Sequence, residues 1–464
     1  MMKPSGPRFL RPLLVTGLLA AGAGPLCGAG FALQEHSISG LGVGFASGAA
    51  GGEDNSSMFF NPASLTLYEG MQATSGVHFI LPKAEFHNEG TLTAYNPGTG
   101  LGVPTQGGDD TADVTAVVPN LFFSMPAGER MVFGFGISTP YGLATSYNDD
   151  WVGRYVAVET DLATVNTNLA LAYEVSDTLS IGGGVNVLYG DAVLSNAINF
   201  GLAFLSGLQD GTVPANEQTL ALQPDVEANL GTTKYDGFLS LEGDDYGFGF
   251  NLGVLWEPTE STRVGAHYRS SVDLTLSGNA DFTVGALQAI FGPTFVDQGG
   301  TVDLELPDTA QVSIYQRVSE DWAVMADVFH TWWSTFDELV IEYENDVPSD
   351  SVIPEKWENV WRFSVGTSYD MNDEVQLRFG LVYDESPVPS DRYRSPRIPD
   401  EDRYWVTTGL GWRVSETIRI DLAYARIIVD DPVIDNDTHT AGERLRGTMD
   451  AKVDIISLGL TAAF

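Results

Sequence analysis

Residues 402–430 read Asp402-Arg-Tyr-Trp-Val-Thr-Thr-Gly-Leu-Gly-Trp-Arg-Val414-Ser-Glu-Thr417-Ile-Arg-Ile-Asp-Leu-Ala-Tyr-Ala-Arg-Ile-Ile-Val-Asp430. Two alternating runs, 402–413 and 417–430, flank one short polar turn, Val414-Ser-Glu-Thr. In the second run Ile418, Ile420, Leu422 and Tyr424 alternate with Arg419, Asp421, Ala423 and Ala425. Period two puts the first set on one face of a strand and the second on the other. The pattern recurs in Trp361, Phe363, Val365 and Tyr369 against Arg362, Ser364, Gly366 and Ser368, and again from Asp454 to Phe464. A soluble sandwich carries such strands too, so alternation alone leaves the class open.

The connections narrow it. Fourteen strand-like segments follow one another: 71–84, 114–125, 130–141, 158–174, 179–191, 246–256, 262–278, 302–317, 321–343, 358–370, 375–385, 402–413, 417–430 and 452–464. Every second connection is a tight polar turn: Pro126-Ala-Gly-Glu, Glu174-Val-Ser-Asp, Glu257-Pro-Thr-Glu, Val318-Ser-Glu-Asp, Asp370-Met-Asn-Asp and Val414-Ser-Glu-Thr. The connections between them are long. An even strand count with short turns at one end and long loops at the other marks a transmembrane antiparallel β-barrel of the outer membrane. Tyr173, Trp256, Trp322, Tyr369 and Trp412 sit against the short turns, at the level of an interfacial girdle. Such a sheet must close, because hydrocarbon leaves no partner for an unpaired N–H. The expectation is therefore an all-β barrel with both termini periplasmic, working as a monomer in the outer membrane of a Gram-negative bacterium. Terminal Phe464 is its expected handle for the barrel-assembly machinery.

Composition excludes other classes. The 464 residues carry 62 acidic and 23 basic side chains, a net charge of −39, which argues against nucleic acid as a partner. Residues 1–29 read as a signal peptide, with Lys3, Arg8 and Arg11 before an apolar Leu13–Ala23 and small residues at Gly28, Ala29 and Gly30. The sole cysteine, Cys27, lies inside it, and the bulky Leu26 before it argues against lipidation. The six histidines show no metal-ligand spacing, and no nucleophile elbow or Walker loop appears. No enzyme activity, catalytic residue, metal or cofactor is expected. The remaining enzymatic alternative is a Ser–His pair facing the membrane. Acidic pairs such as Asp149-Asp150 and Asp430-Asp431 suit surface solvation or divalent bridges to lipopolysaccharide.

Residues 30–70, before the first strand, are too apolar for a linker and too glycine-rich for a spanning strand, which suits a compact plug inside a barrel. The barrel itself is assigned to 71–464. Here the chain resembles the FadL/TodX family of outer-membrane transport proteins for long-chain fatty acids and aromatic hydrocarbons. The matching residues are Phe31-Ala-Leu-Gln-Glu-His-Ser, Gly40-Leu-Gly, the Ala/Gly run at 46–52 and Asn61-Pro62-Ala63. The match continues in Tyr141-Gly-Leu-Ala-Thr, Thr160-Asp-Leu-Ala-Thr-Val-Asn, Asp384-Glu-Ser-Pro-Val-Pro and Ile398-Pro-Asp-Glu-Asp-Arg-Tyr-Trp. The resemblance implies a fourteen-stranded barrel whose N-terminal hatch includes Phe31, Asn61, Pro62 and Ala63. It also implies passive diffusion of a greasy ligand from an outer groove, past the hatch, and out sideways through the wall.

Three local features bear on that scheme. Loop 192–245 carries Leu194, Ile198, Leu202 and Leu205 at helical spacing, and loop 279–301 carries Val284, Leu287 and Phe291. Both loops are expected to be partly helical and to form a hydrophobic capture groove, the alternative being two helices packed on each other. Strand three ends in Pro140-Tyr141-Gly142, where a strand would simply stop or would kink; the family has its wall opening there. For a ligand carboxylate the candidate cations are Lys356, Arg154 and Arg403, with Arg392, Arg394 and Arg397 nearby in sequence. Asn196 stands where fatty-acid members place an arginine, which leaves neutral hydrocarbons open. The competing function is a general porin or an adhesin-like surface barrel with a purely structural plug.

Overall fold

The structure, a computed structural model, describes residues 29–440 and 442–464. Residues 1–28, which hold all but the last residue of the expected signal peptide, lie outside that range. The chain forms fourteen spanning strands: β1 (Gln72–Asn88), β2 (Ala116–Pro126), β3 (Met131–Ser138 and Gly142–Ser146), β4 (Glu159–Ser176), β5 (Leu179–Asn199), β6 (Asp236–Thr259) and β7 (Thr262–Arg269 and Val272–Thr283). Then come β8 (Gln298–Leu306 and Thr309–Arg317), β9 (Trp322–Thr331 and Glu338–Tyr343), β10 (Ser351–Pro354 and Val360–Asp370), β11 (Val375–Asp384), β12 (Arg403–Arg413), β13 (Ile418–Val429 and Val433–Asn436) and β14 (Glu443–Ala463). Each strand pairs antiparallel with the next, and β1 pairs with β14 from Gln72↔Ala463 to Asn88↔Gly447, which closes the barrel. No helix among the described residues is long and apolar enough to cross a membrane.

The alternation sets the two faces of the wall. On β14, Ile456, Leu458 and Leu460 are half exposed on the outside, while Val453, Ile455 and Ser457 are buried within. On β10, Trp361, Phe363 and Val365 face out and Arg362 and Ser364 face in. A spanning sheet needs this arrangement, since its outer face meets lipid. Tyr173, Trp256, Trp322, Tyr369 and Trp412 are all half exposed beside the short turns, and Trp322 and Tyr369 are cross-strand partners with ring centroids 5.9 Å apart.

Several strands run further than the alternation suggests. β6 has 24 residues, roughly 80 Å of strand against the ~25 Å apolar band, so its upper half stands clear of the membrane. β5 likewise continues to Asn199. The helical spacing expected from residue 192 therefore begins only at α2 (Phe200–Asp210), after α1 (Ile38–Gly42) near the N-terminus, and α3 (Glu217–Ala228) follows it. Leu194 and Ile198 are strand residues: a spacing of four satisfies period two as well as a helical turn. Asn199 caps α2 by accepting from the Leu202 N–H. In the second loop the strand reaches Thr283, and only Gly285–Leu287 and α4 (Gln288–Phe291) are helical.

Residues 29–65 are almost all buried and pack against the inward-facing side of the wall, while Glu69 and Gly70 are exposed. Short helical turns at α1, Asn55–Phe59 and Pro62–Leu67 are capped by Ser37, Asp54 and Asn61. Strand glycines let this segment lie directly on the wall. A Cβ on Gly265 would come within 1.8 Å of the Ala49 carbonyl oxygen, and one on Gly253 within 1.9 Å of Asn61 Oδ1. Asn61 donates from Nδ2 to the Ala49 and Val254 carbonyls and accepts from the Ala63 N–H, with Pro62 in the first helical position. One Asn-Pro-Ala step thus caps a turn and ties it to β6.

Candidate functional site

Strand β3 is broken. Its lower piece pairs with β2 only from Pro126↔Val132 to Leu121↔Ile137, and its upper piece pairs with β4 alone. Above Leu121, β2 is paired with β1 and not with β3, so the ladder between β2 and β3 stops midway up the wall. At the break Pro140 has no N–H to donate. The N-terminal segment takes up the freed edge: Leu33 N–H donates to the Pro140 carbonyl (2.8 Å) and Gly142 N–H to the Phe31 carbonyl (3.0 Å). Tyr141 N–H turns instead to Thr164 Oγ1 on β4. Phe31 is held by a cage of rings, with Trp333 at 4.7 Å and Phe336 and Trp357 at 5.6 Å. The backbone one residue ahead is pinned by Gly30 N–H donating to Asp400 Oδ2 (2.9 Å). Burial raises Asp400 to about 6.

The seven residues expected to line one groove divide three ways. Val284 and Leu287 are buried with Phe200, Phe204 and Val226, Leu205 packs against them, and Phe291 stacks on Phe200 at 5.0 Å. Ile198 and Leu202 border an outward cleft of about 730 Å³ between β5, α2 and an edge made by Thr440, Gly442 and Glu443. Leu194 points into a separate inner cavity of about 200 Å³ with Leu239, Leu241, Leu339 and Ile341. Shared helical spacing cannot separate these fates, because it names a face and not the element that covers it.

The three proposed cations already face protein carboxylates. Arg154 is fully buried, 2.7 Å from Asp236, and also donates to the Gln106 and Gly231 carbonyls. Arg403 lies 3.2 Å from Asp400 and 3.7 Å from Asp384. Lys356 is exposed and paired with Asp337. The cation bordering the inner cavity is Arg397, at its polar end with Glu355 and His439. Its guanidinium donates to Thr160 Oγ1 and to the Glu159 and Ser195 carbonyls. Burial lowers Arg397 to about 10 and raises Glu355 to about 8, and burial with help from Arg397 lowers His439 to about 4. Between about pH 4 and pH 8 the cavity therefore has one cation, a protonated carboxyl and a neutral imidazole. Arg397 was one of four arginines near the Ser-Pro-Val-Pro stretch, and nothing in spacing set it apart.

Ser457 and His78 share a 2.7 Å hydrogen bond, but both are fully buried inside the barrel rather than facing lipid. No cluster of three metal-ligating side chains occurs among the described residues.

A closed barrel with a filled lumen, apolar cavities on its outer side and an interrupted wall defines a membrane transport protein rather than an open pore. The chain belongs to the family described as outer membrane protein transport protein (OMPP1/FadL/TodX), which matches residues 19–464. It is 31% identical over 403 residues to a long-chain fatty acid transport protein of Escherichia coli O6:H1, covering 85% of each chain. Its fold is that of the crystal structure of a Pseudomonas aeruginosa FadL homologue, at TM-score 0.80 and 24% identity, covering 94% of this chain and 100% of that one. The Pseudomonas putida toluene transporter TodX matches at TM-score 0.64 and 18% identity, covering 89% and 95%.

Proposed function

We propose that this protein carries hydrophobic compounds across the outer membrane by passive diffusion, and that long-chain fatty acids are among them. The ligand lands in the outer cleft beside Ile198 and Leu202 and moves to the inner cavity lined by Leu194. It then leaves sideways where β2 and β3 part, beside Pro140, Tyr141 and Gly142. Residues 30–70 act as the hatch. The observation that carries this reading is the unpaired stretch of wall at the β3 break, filled by residues 31–33 of the N-terminal segment. A wall gap plugged by a few backbone hydrogen bonds opens at far lower cost than a continuous ladder does. The fatty-acid relative and the toluene transporter bracket the substrates. Arg397, uncompensated while Glu355 is protonated, favours the acid.

The chain works as a monomer without enzyme activity and with both termini periplasmic. Phe464, the exposed terminal residue beside Met71, serves as its handle for the assembly machinery. Outward acidic residues above the membrane meet lipopolysaccharide through divalent cations. The test is uptake of labelled oleate and toluene by a porin-deficient host. Faster uptake of either on expressing this chain is expected. Unchanged rates together with sugar permeation would instead indicate a general porin.

A further inference from the structure

Among the buried arginines, Arg269, Arg362 and Arg397 have no ion-paired carboxylate among the described residues, and of these Arg269 lines the cavity at the β3 break. Arg154, Arg378 and Arg403 each lie within 3.2 Å of a carboxylate. Arg269 is 8% exposed and bonds only neutral oxygens, Asn186 Oδ1 and the Phe59 carbonyl, each at 2.8 Å, while its guanidinium lies 4.3 Å over the Phe59 ring. No carboxylate among the described residues is bonded to it or ion-paired with it. A buried, uncompensated cation is costly, and it acquires a strong partner when an anion arrives.

Its surroundings say what kind of anion. Arg269 borders a cavity directly behind the β3 break, whose apolar side is made by Leu33, Phe60, Pro140 and Phe329. The polar side adds His267, which is buried with both ring nitrogens unpartnered. A guanidinium held only by neutral oxygens and an unpartnered imidazole, beside an apolar wall, suit an amphiphile with a single anionic head. We infer that this cavity is a carboxylate station at the exit, where Arg269, helped by His267, holds the head of a long-chain acid while its tail passes into the wall gap. The inference rests on the uptake reading and extends it from the inner cavity at Arg397 to the opening itself.

Oleate and oleyl alcohol share a chain and differ in the head, so initial uptake of the two labelled compounds in a porin-deficient host separates recognition from passage. Rates are normalised to folded barrel measured by heat-dependent gel mobility. Arg269→Gln is expected to slow oleate about tenfold and leave oleyl alcohol within about twofold, and Arg269→Lys to restore at least about half of the oleate rate. Oleate uptake unchanged in Arg269→Gln would overturn the station, as would equal loss of both compounds, which marks a structural role. Wild-type uptake of the alcohol but not the acid would overturn it too and leave the broader transport reading standing. Uptake of neither compound by the wild type would bring down both.

Discussion

The N-terminal segment is held in two different ways along its length. From Ser39 to Thr66 it is fixed by side chains and by direct backbone contact with wall glycines. Asn61 reaches β6, Asn55 Nδ2 donates to Ser124 Oγ, and Glu53 pairs with Arg419 at 3.0 Å in a group that includes Asp421 and Arg378. From Ala29 to Leu33 it is held by a few backbone hydrogen bonds to a broken strand and by stacked rings. Aromatic contacts and isolated backbone bonds tolerate sliding, whereas an interlocked polar network releases only as a unit. The titratable groups divide the same way. Burial would raise Glu53, but Arg419 with Arg378 and Arg263 holds it at about 2. Near the front, burial raises Glu35 to about 8, and backbone hydrogen bonds with the charges of Arg362 and Arg403 offset only part of that rise. The rear is therefore the expected anchor and the front the expected movable strip, and that division can be broken by experiment.

The largest effect is expected at the anchor. Gly265→Leu places a side chain where the Ala49 carbonyl lies, and neither backbone can yield. Heat-modifiable barrel in the membrane fraction should fall at least about tenfold. Normal levels would mean that the anchor is looser than its contacts suggest. The next test compares tethers directly. Ala32 and Tyr141 are bridge partners, and Thr66 Oγ1 bonds Ser180 Oγ at 2.9 Å. Oxidised Ala32→Cys/Tyr141→Cys should cut oleate uptake about tenfold, reversibly with reductant, while Thr66→Cys/Ser180→Cys should leave it within about twofold. Equal inhibition by both tethers would erase the distinction between front and rear.

A smaller effect is expected at Asn61→Ala, which removes two hydrogen bonds to buried carbonyls and a cap. The loss should be about 2–4 kcal/mol, read as a lower urea midpoint in detergent with uptake per folded barrel preserved. A large uptake defect at unchanged stability would move Asn61 from the anchor to the gate.

The barrel was legible because its two signals are local. Alternation reports which face of a strand is apolar, and the six tight turns report which end is which, so the fourteen strands followed without knowledge of their neighbours. What failed to show was everything set by long-range pairing. Gly253 and Gly265 look like ordinary strand glycines until residues 49 and 61 are seen lying on them. Leu194 and Ile198 satisfy two periodicities at once, and the capping Asn199 was the signal that would have started the helix at Phe200. Charge pairing is equally hidden: Arg154 and Arg403 look as free as Arg397 and Arg269 in sequence, and only the fold hands the first pair their aspartates.

The smallest effect belongs to pH and lies at the ligand side of the front. Glu355, raised to about 8 by burial, is mostly protonated at pH 7 and mostly ionised at pH 9. Ionisation puts a negative charge in the same cavity as Arg397, and that charge competes with a ligand carboxylate for the guanidinium. Oleate, already anionic at both values, should therefore bind about three- to tenfold more weakly at pH 9 than at pH 7, while oleyl alcohol should not respond. Glu355→Gln keeps the neutral form at every pH and should flatten the oleate profile at its pH 7 level. Glu53, held at about 2, stays ionised throughout this range, so the rear anchor contributes nothing to the change. A profile that stays steep in Glu355→Gln would assign the titration to Glu35 or another group beside the hatch and detach Arg397 from the ligand head.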